Sequence, residues 1–254
     1  VGSGLALDSM GRIVVVGRQG QFGGEMLVAR LTTAGVLDST FATGGRYLPT
    51  TTPMEALNAV VLDASNDIFA VGFRDQDSLV IKLTAAGVPD STFGTSGVTT
   101  VDLTTGLYAD QLNAVALDGT RLVAAGSGLD SSASNFYLAA FTSAGVLDTT
   151  FGAAGVTGVG AATPDERFTA LAARPGGGWY AVGSSDTSVA VLRFSASGAH
   201  DMTFGTSGQF LDTYSGQAVG LAAAVDSLGR IVIAGVFSTG AASPSDPGVA
   251  RINP

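Results

Sequence analysis

The residues of this sequence that could do chemistry are mostly carboxylates. Four aspartates recur at the same place in a repeated phrase, and these are Asp38, Asp90, Asp148 and Asp201. One calcium site per phrase is the first chemistry that such a series suggests. Each phrase holds only one sure carboxylate, however, whereas Ca²⁺ takes roughly 6–8 oxygen ligands. We therefore expect structural turns, with no metal and no cofactor.

A second possible chemistry is hydrolysis by a histidine or by a pair of acids. His200 is the only histidine, so a Ser-His-Asp arrangement would have to use it. It occupies the position that Leu37 and Leu147 hold in other copies of the phrase, which favours a substituted turn residue over a general base. An acid pair that includes Asp75 or Glu166 stays open as an alternative, because glycosidase carboxylates must lie roughly 5–10 Å apart and a sequence does not show distances.

The repeated phrase organises the whole chain. It reads AGVLDSTFATGG first and returns as AGVPDSTFGTSG, AGVLDTTFGAAG and SGAHDMTFGTSG, at a period of roughly 50 residues. Three short apolar segments precede each copy and a fourth follows it; we name these predicted strands a, b, c and d. The chain also has 36 glycines, which suits short strands joined by tight turns. The predicted fold class is all-β, a β-propeller of five repeats with four-stranded antiparallel blades.

The predicted repeats fill the sequence as one propeller domain. The fifth stops at ARINP, so its blade lacks the outer strand d, and we expect a longer parent chain or a strand added by another segment or subunit. A β-sandwich is the competing fold, but it does not require five copies of one unit. Strand a should be innermost, with Val60, Val115 and Val219 buried. The predicted domain covers residues 1–254, with repeats at about 4–52, 56–104, 112–160, 168–214 and 217–254.

The third repeat carries a family resemblance. Its segments NAVALDG, RLVAAG and LAAFTSAGVLDTTFGAAGV, between Asn113 and Val156, resemble the delta-60 repeat, a bacterial repeat family of unknown function that is regarded as propeller-forming. The resemblance extends over the whole chain, with departures such as Ala42 and His200 that concern turn details. It implies an exported bacterial protein, extracellular or on the cell surface, and it supplies no catalytic residues.

The physical role expected for the phrase is to close and anchor a turn. Its aspartate can accept backbone N–H groups, and the threonine two residues later can add a hydroxyl bond. Its phenylalanine, at Phe41, Phe93, Phe151 and Phe204, can anchor the loop between neighbouring blades. A basic residue also recurs in strand c, for which we expect a solvated or interblade ion pair; these residues are Arg30, Lys82, Arg193 and Arg251.

Composition excludes several classes of function. There are 21 acidic and 12 basic residues, a net charge of −9, and no basic stripe, so nucleic-acid binding is not expected. No apolar run approaches the roughly 18 residues of a membrane helix, so membrane insertion is not expected either. The absence of cysteine excludes disulfides and Cys-ligated metals.

Binding residues are expected where the repeats differ. The a–b and c–d turns are near copies of one another, whereas the b–c and d–a loops vary in every repeat, and loops on a repeated scaffold commonly carry function. The predicted binding residues in these loops are Phe22, Glu25, Phe73, Arg74, Asp75, Tyr108, Asp110, Asp130, Asp165, Glu166, Arg167 and Phe237.

Three function classes follow from these patterns. The first is a non-enzymatic module that binds a protein partner or self-assembles, through the loop face or through the open edge strand at residues 249–252. The second is a carbohydrate-binding propeller, since exposed aromatic and acidic residues suit the faces and hydroxyls of a glycan. The third is an acid-pair glycoside hydrolase. We expect the first class, and therefore no enzyme.

Overall fold

The computed structural model describes residues 1–20, 24–49, 54–104, 109–130, 133–160, 165–214, 216–238 and 246–253, with the Asp130 side chain left out. Within these ranges the chain forms β-strands joined by turns, and no helix. The strands make five antiparallel sheets, one for each predicted repeat. Each sheet follows the order of the chain from strand a to strand d, so every strand pairs with its sequence neighbour.

Four sheets have four strands and the fifth has three among the described residues. The first contains β1 (Gly2–Leu7), β2 (Ile13–Gln19), β3 (Glu25–Leu31) and β4 (Arg46–Tyr47). The second contains β5 (Glu55–Leu62), β6 (Ile68–Arg74), β7 (Asp77–Leu83) and β8 (Val98–Val101). The third contains β9 (Asp110–Asp118), β10 (Arg121–Asp130), β11 (Ala133–Phe141) and β12 (Val156–Val159). The fourth contains β13 (Glu166–Ala173), β14 (Trp179–Ser185), β15 (Ser188–Phe194) and β16 (Gln209–Thr213), and the fifth β17 (Ala218–Val225), β18 (Ile231–Phe237) and β19 (Asp246–Ile252).

The chain divides into two compact units. Unit 1 consists of residues 1–122 with 141–146, and unit 2 of residues 123–140 with 147–254. The first and second sheets and β9 lie in unit 1. Unit 2 holds β11 up to Ala140, β12, and the fourth and fifth sheets.

Aspartates close the a–b hairpins of the first two sheets. In the first sheet, Oδ1 of Asp8 accepts the backbone N–H groups of Met10 and Arg12, both at 2.9 Å. In the second sheet, Oδ1 of Asp63 accepts the backbone N–H groups of Ser65 and Asp67. Asn66 of this turn has a positive φ of 64°. Each side chain thus bonds backbone donors that the tight turn leaves free.

A glycine in strand b is required by close backbone approach. The a and b strands of the second sheet shift register between Leu57 and Ala59, which is a β-bulge. A Cβ on Gly72, which pairs with Leu57, would lie 1.9 Å from the carbonyl oxygen of Ala56. Since no larger side chain fits there, the bulge explains the glycine of this strand b.

The core consists of apolar side chains packed between successive sheets. In unit 1, Val14 and Val28 of the first sheet pack against Leu79 and Ile81 of the second. In unit 2, Tyr180, Val182 and Val191 of the fourth sheet join Ile231 and Ile233 of the fifth. In each unit, the facing sides of two successive sheets therefore form a shared core.

The inner-strand valines are less buried than predicted. Val60, Val115 and Val219 are half-buried, so the expectation of full burial is wrong. Each lies on strand a, which is an edge of its sheet and has a hydrogen-bonded neighbour on one side only. The central strands β6 and β14, with neighbours on both sides, are buried more completely.

The fold class predicted from the sequence is confirmed. The described chain is all-β, with five repeated antiparallel blades of which the fifth has three strands. Among the described residues, no helix is long and apolar enough to cross a membrane.

Candidate functional site at the loop ends of the sheets

The aspartate of the repeated phrase is occupied by bonds within its own turn. Oδ1 of Asp90 accepts the N–H of Thr92 at 2.9 Å and the Thr92 hydroxyl at 2.6 Å. Its Oδ2 lies 2.7 Å from Nζ of Lys82, and the hydrogen bond from this lysine is the main cause that lowers the pKa of Asp90 to about 2. The same carboxylate–threonine bonds recur in the other three copies, at Asp38, Asp148 and Asp201. These aspartates close turns.

The phenylalanine of the phrase packs beneath the turn of the next repeat. The Phe93 ring is fully buried, and a Cβ on Gly145 would lie 2.8 Å from it. The N–H of Gly94 donates to the carbonyl of Ala144 at 2.8 Å, and the Thr99 hydroxyl donates to the carbonyl of Gly145 at 2.7 Å. We call this combination of ring, glycine and backbone bond the interblade clasp. It recurs between Phe41 and Gly87 and between Phe151 and Gly198.

The recurring base of strand c belongs to the same turns. Nε of Arg30 donates to Oδ2 of Asp38 at 2.8 Å, and Nη1 donates to the carbonyl of Ala85 in the next repeat. Arg30 is buried, with its guanidinium 4.8 Å from the centre of the Phe41 ring. The expectation of a solvated or interblade ion pair is therefore wrong for Arg30, because its acid lies in its own repeat and only its carbonyl partner in the next.

His200 has the turn role that its position suggested. Its Nε2 lies 2.9 Å from the carbonyl oxygen of Gly208, and its ring lies 5.4 Å from that of Phe194. The imidazole therefore takes the place of the leucine of other copies, packing near the Phe194 ring and forming one hydrogen bond to Gly208.

In unit 1, the predicted binding residue Arg74 bonds a buried acid that the prediction missed, and Asp75 lies next to Arg74 in the chain. Glu55 is fully buried at the start of β5, where its Oε1 accepts Nε of Arg74. Asp75 is exposed, and its Oδ1 accepts the N–H of Met54 at 3.0 Å. Burial, followed by the neighbouring Glu55 carboxylate, raises the pKa of Tyr47. The Oε2 of Glu55 has no hydrogen-bond partner among the described residues.

Asp110 occupies the same position in the next repeat, at the start of β9. It is buried and accepts the N–H groups of Leu103 and Thr104 as well as the Thr104 hydroxyl. Asp102 also accepts the N–H of Thr104, at 3.0 Å, so two carboxylates approach one amide. Loss of hydration on burial raises the pKa of Asp110 to about 6, against the lowering effect of these hydrogen bonds.

The raised pKa of Asp110 predicts a pH-dependent stability. The unfolded carboxyl ionises near 3.8, whereas the folded one holds its proton until about pH 6. Its contribution should therefore be fully present below pH 3.8 and should decrease by about 2–3 kcal/mol as the pH rises to about 6. Denaturant melts of the wild type and of Asp110→Asn at several pH values would measure this. Asp110→Asn should lack that decrease, and an unchanged slope would contradict the assignment.

In unit 2, Glu166 occupies this position in the fourth sheet, at the start of β13. It is fully buried and its Oε1 lies 3.3 Å from the Ser185 hydroxyl. The hydroxyl of Ser134 donates to its carbonyl oxygen at 2.8 Å. The adjacent Asp165 and Arg167 are exposed. Glu166 thus has a structural role, whereas Asp165 and Arg167 are exposed to solvent, where a ligand could contact them.

An aromatic pair lies at the loop end of the fifth sheet. Phe237 is half-buried, with its ring 5.5 Å from that of Tyr214. The Tyr214 hydroxyl donates to Oδ2 of Asp212 at 2.7 Å, and this hydrogen bond is the main cause that raises the pKa of Tyr214 to about 12. The sequence prediction included Phe237 and missed Tyr214.

The remaining predicted residues are placed as follows. Phe22 and Tyr108 lie outside the described residues, as does the side chain of Asp130. Glu25 is half-buried and pairs with Gln19 across the b–c connection. Phe73 is half-buried and pairs with Ser78. The structure brings Arg74 and Asp75 to one loop end and Asp165, Glu166 and Arg167 to another.

An alignment of the repeats would have identified Glu55, the buried acid that the prediction missed. Glu55, Asp110 and Glu166 stand at one position, the first residue of strand a in three successive repeats. Within the described part of the chain, no group of three or more His, Cys, Asp or Glu side chains is arranged to hold a metal ion.

Repeated antiparallel sheets joined by interblade clasps define a repeat protein of the β-propeller class. Residues 11–41 and 229–254 match the family described as "Domain of unknown function (DUF5122) beta-propeller". The match supports a propeller repeat family of unknown function. No curated protein matches the chain.

Solved structures share the fold at low sequence identity. A gluconolactonase from Xanthomonas campestris is 18% identical over 92% of this chain and 69% of its own, with a TM-score of 0.50. A protein of unknown function from Dyadobacter fermentans is 11% identical over 98% of this chain and 76% of its own, with a TM-score of 0.53. At these identities the likeness concerns the fold alone.

Proposed function

We propose that this chain is a non-enzymatic module, exported or displayed on a bacterial cell surface, that binds a protein partner through the loop ends of its sheets. We also propose that its repeats are of the delta-60 type. The observation that carries the function is that the buried acids at the loop ends hold the scaffold, while the exposed residues beside them differ in every repeat.

The backbone at the acid position ties each repeat to the preceding connection. The N–H of Glu55 donates to the carbonyl of Gly24 at 3.0 Å, and that of Asp110 to the carbonyl of Gln76 at 2.7 Å. In unit 2, Ser134 bonds the carbonyl of Glu166. A fixed base of this kind supports the display of variable loops for recognition.

The carboxylates named for hydrolysis have other partners. Asp75 accepts the backbone N–H of Met54, just before strand a of the same repeat, whereas Glu166 is buried against Ser185. The similarity to a gluconolactonase extends to the fold and carries no activity to this chain. These contacts favour recognition over acid-pair catalysis.

Carbohydrate binding is the second candidate because of one observation. The ring pair of Tyr214 and Phe237, with the Asp212 carboxylate beside it, combines an aromatic surface with a hydrogen-bond acceptor for hydroxyl groups. A glycan array would test it, with Phe237→Ala as the variant that should lose any signal.

Site-specific photo-crosslinking tests the protein-binding proposal. A photoreactive residue in place of Arg167, at a loop end, is compared with one in place of Leu228, an exposed residue of an a–b turn. On the surface of the producing cells, the Arg167 position should give a discrete crosslinked protein species that the Leu228 position does not give. Equal labelling at both positions, or none at Arg167, would contradict the proposal.

A further inference from the structure

Strand d is an open edge in each of the four described four-stranded sheets. It pairs with strand c on one side, and no described strand pairs with its other side. The edge recurs at β8 and β12, in repeats that have other repeats before and after them in the chain. The open edge is therefore a property of the repeat itself. Such an edge accepts an added strand, because its outward N–H and C=O groups have no neighbouring strand to bond.

The register shows which backbone groups of strand d point outward. The N–H of Lys82 donates to the carbonyl of Gly97, and from this pair the bonds to strand c alternate along β8. Val98 points outward and exchanges two backbone bonds with Thr95 of its own turn, at 2.8 and 3.2 Å. Thr100 points outward as well, and within the described part of the chain it forms no outward backbone bond.

The first and third repeats have the same arrangement. In the third, Val156 exchanges bonds with its turn, and Gly158 points to the open edge. In the first, Arg46 exchanges bonds with its turn, and Leu48 stands at the outward position two residues later. The open part of strand d is thus short, so a partner strand needs side-chain contacts in addition to backbone bonds.

A groove adjoins the open edge where one repeat meets the next. In unit 1 it has a volume of about 580 Å³ and lies between strand d of the first repeat and the c–d turn of the second. The clasp of Phe41 with Gly87 holds these two walls together. Arg46 and Leu48 line one wall and Val88 lines the other. An equivalent groove of about 380 Å³ lies between the third and fourth repeats in unit 2.

The groove of unit 1 carries a cation that no acid of the described chain neutralises. Arg12 and Arg30 are paired with aspartates, whereas the exposed Arg46 forms no ion pair with any described residue. On a chain with a net charge of −9, this guanidinium is a local site for a carboxylate. Val88 is 56% exposed and supplies an apolar contact on the facing wall. In the groove of unit 2 the arginine is replaced by Val156.

We propose that the groove of unit 1 binds an extended peptide segment of a partner protein, with an acidic side chain paired to Arg46. The segment adds a short strand beside Leu48, and an apolar side chain two residues from the acid packs against Val88. That spacing is required because alternate side chains of a strand share one face. The groove lies beside the c–d turns, at the opposite end of the sheets from the loop ends, so its failure would leave the protein-binding proposal intact.

Two features favour a peptide of another protein as the occupant. The outward N–H and C=O groups of strand d match those of an extended backbone, which a compact small molecule lacks. Two copies of this chain would each bring a net charge of −9, so they repel one another. The single unpaired cation of the groove instead selects a short acidic segment.

Fluorescence anisotropy with a synthetic peptide tests the proposal. The probe is Thr-Val-Thr-Asp-Thr-Val-Thr, which reads the same in both directions and places Asp and both Val on one face. A second probe has Lys in place of Asp. A third is N-methylated at Asp and at the Thr that follows, which removes an N–H donor toward each edge of the peptide. The wild type should bind the first probe at least about tenfold more tightly than either of the others.

Two exposed substitutions alter the groove. Arg46→Glu should reverse the preference, so that the Lys probe binds about tenfold more tightly than the Asp probe. A misfolded variant cannot imitate this gain of binding. Val88→Asp should weaken binding of the Asp probe by at least about tenfold, since it replaces an apolar contact with a like charge. Met10→Asp, at an a–b turn residue 59% exposed, and Arg251→Glu, the same charge change outside the groove, should bind as the wild type does.

An NMR titration with the Asp probe locates the contact. The amide signals of Leu48 and Val88 should shift, whereas that of Gly158, beside the groove without an arginine, should not. No measurable binding of the Asp probe, equal binding of the Asp and Lys probes, or a shift at Gly158 as large as that at Leu48 would each overturn the proposal. Shifts at Leu48 that appear when the protein alone is concentrated would also overturn it, because a second copy would then be the occupant.

Discussion

Phe93→Ala should lower the free energy of unfolding by about 3–5 kcal/mol, the range measured for buried phenylalanines elsewhere. The ring is fully buried beneath Gly145 and lies edge-on to Phe69 at 6.0 Å, so truncation leaves a cavity in a contact between two repeats. Denaturant unfolding of both proteins measures the difference.

Val88→Ala is the matched control for this prediction. Val88 lies in the c–d turn of the same repeat and is 56% exposed, so its loss should change stability by less than about 0.5 kcal/mol. Phe22→Ala, in a b–c loop, should also be nearly neutral, although Phe22 lies outside the described residues. Equal losses for Phe93→Ala and the controls would contradict the clasp.

Gly145→Ala should destabilise the protein far more than Gly35→Ala does. Both glycines have positive φ, 75° and 78°, so an alanine at either costs about 1–2 kcal/mol in backbone strain. At Gly145 the added methyl group would also lie 2.8 Å from the Phe93 ring, and such overpacking adds about 1–3 kcal/mol. At Gly35 it would meet open space.

Thermal and denaturant melts of the two variants check this difference, because backbone strain is common to both. A Gly145→Ala variant that loses no more stability than Gly35→Ala would show that the phenylalanine does not pack beneath the turn. Phe93→Ala in the Gly145→Ala background offers a further check, since removal of the ring should relieve the overpacking.

Much of the fold could be predicted because its signals are local. The Asp–Thr bonds of the turns join residues two positions apart, and the hairpin aspartates bond their own turns, so residue type and spacing were enough. The contact of the Phe93 ring with Gly145, in contrast, joins residues of two different repeats. The sequence indicated that the ring anchors a neighbour, but not which atom it meets, because that depends on how two sheets pack.

The candidate site was only partly predictable. Variable loops led to Arg74, Asp75 and Arg167, which lie at the loop ends. Loop composition gave no reason to include Glu55, which is buried as the first residue of β5. The burial of Val60 was overestimated because the prediction took an innermost strand a to be a buried one, whereas strand a is an edge of its sheet and Val60 is half-buried.

Amide hydrogen exchange, followed residue by residue by NMR, tests the interblade clasp most directly. The N–H groups of Ala42, Gly94 and Gly152 donate to carbonyls of the next repeat, at Ala86, Ala144 and Ser197. They should exchange slowly, close to the rate of global unfolding, although they lie in turns. If these three amides exchange at the rate of an unstructured loop, the repeats are not joined in this way and the account of the fold is wrong.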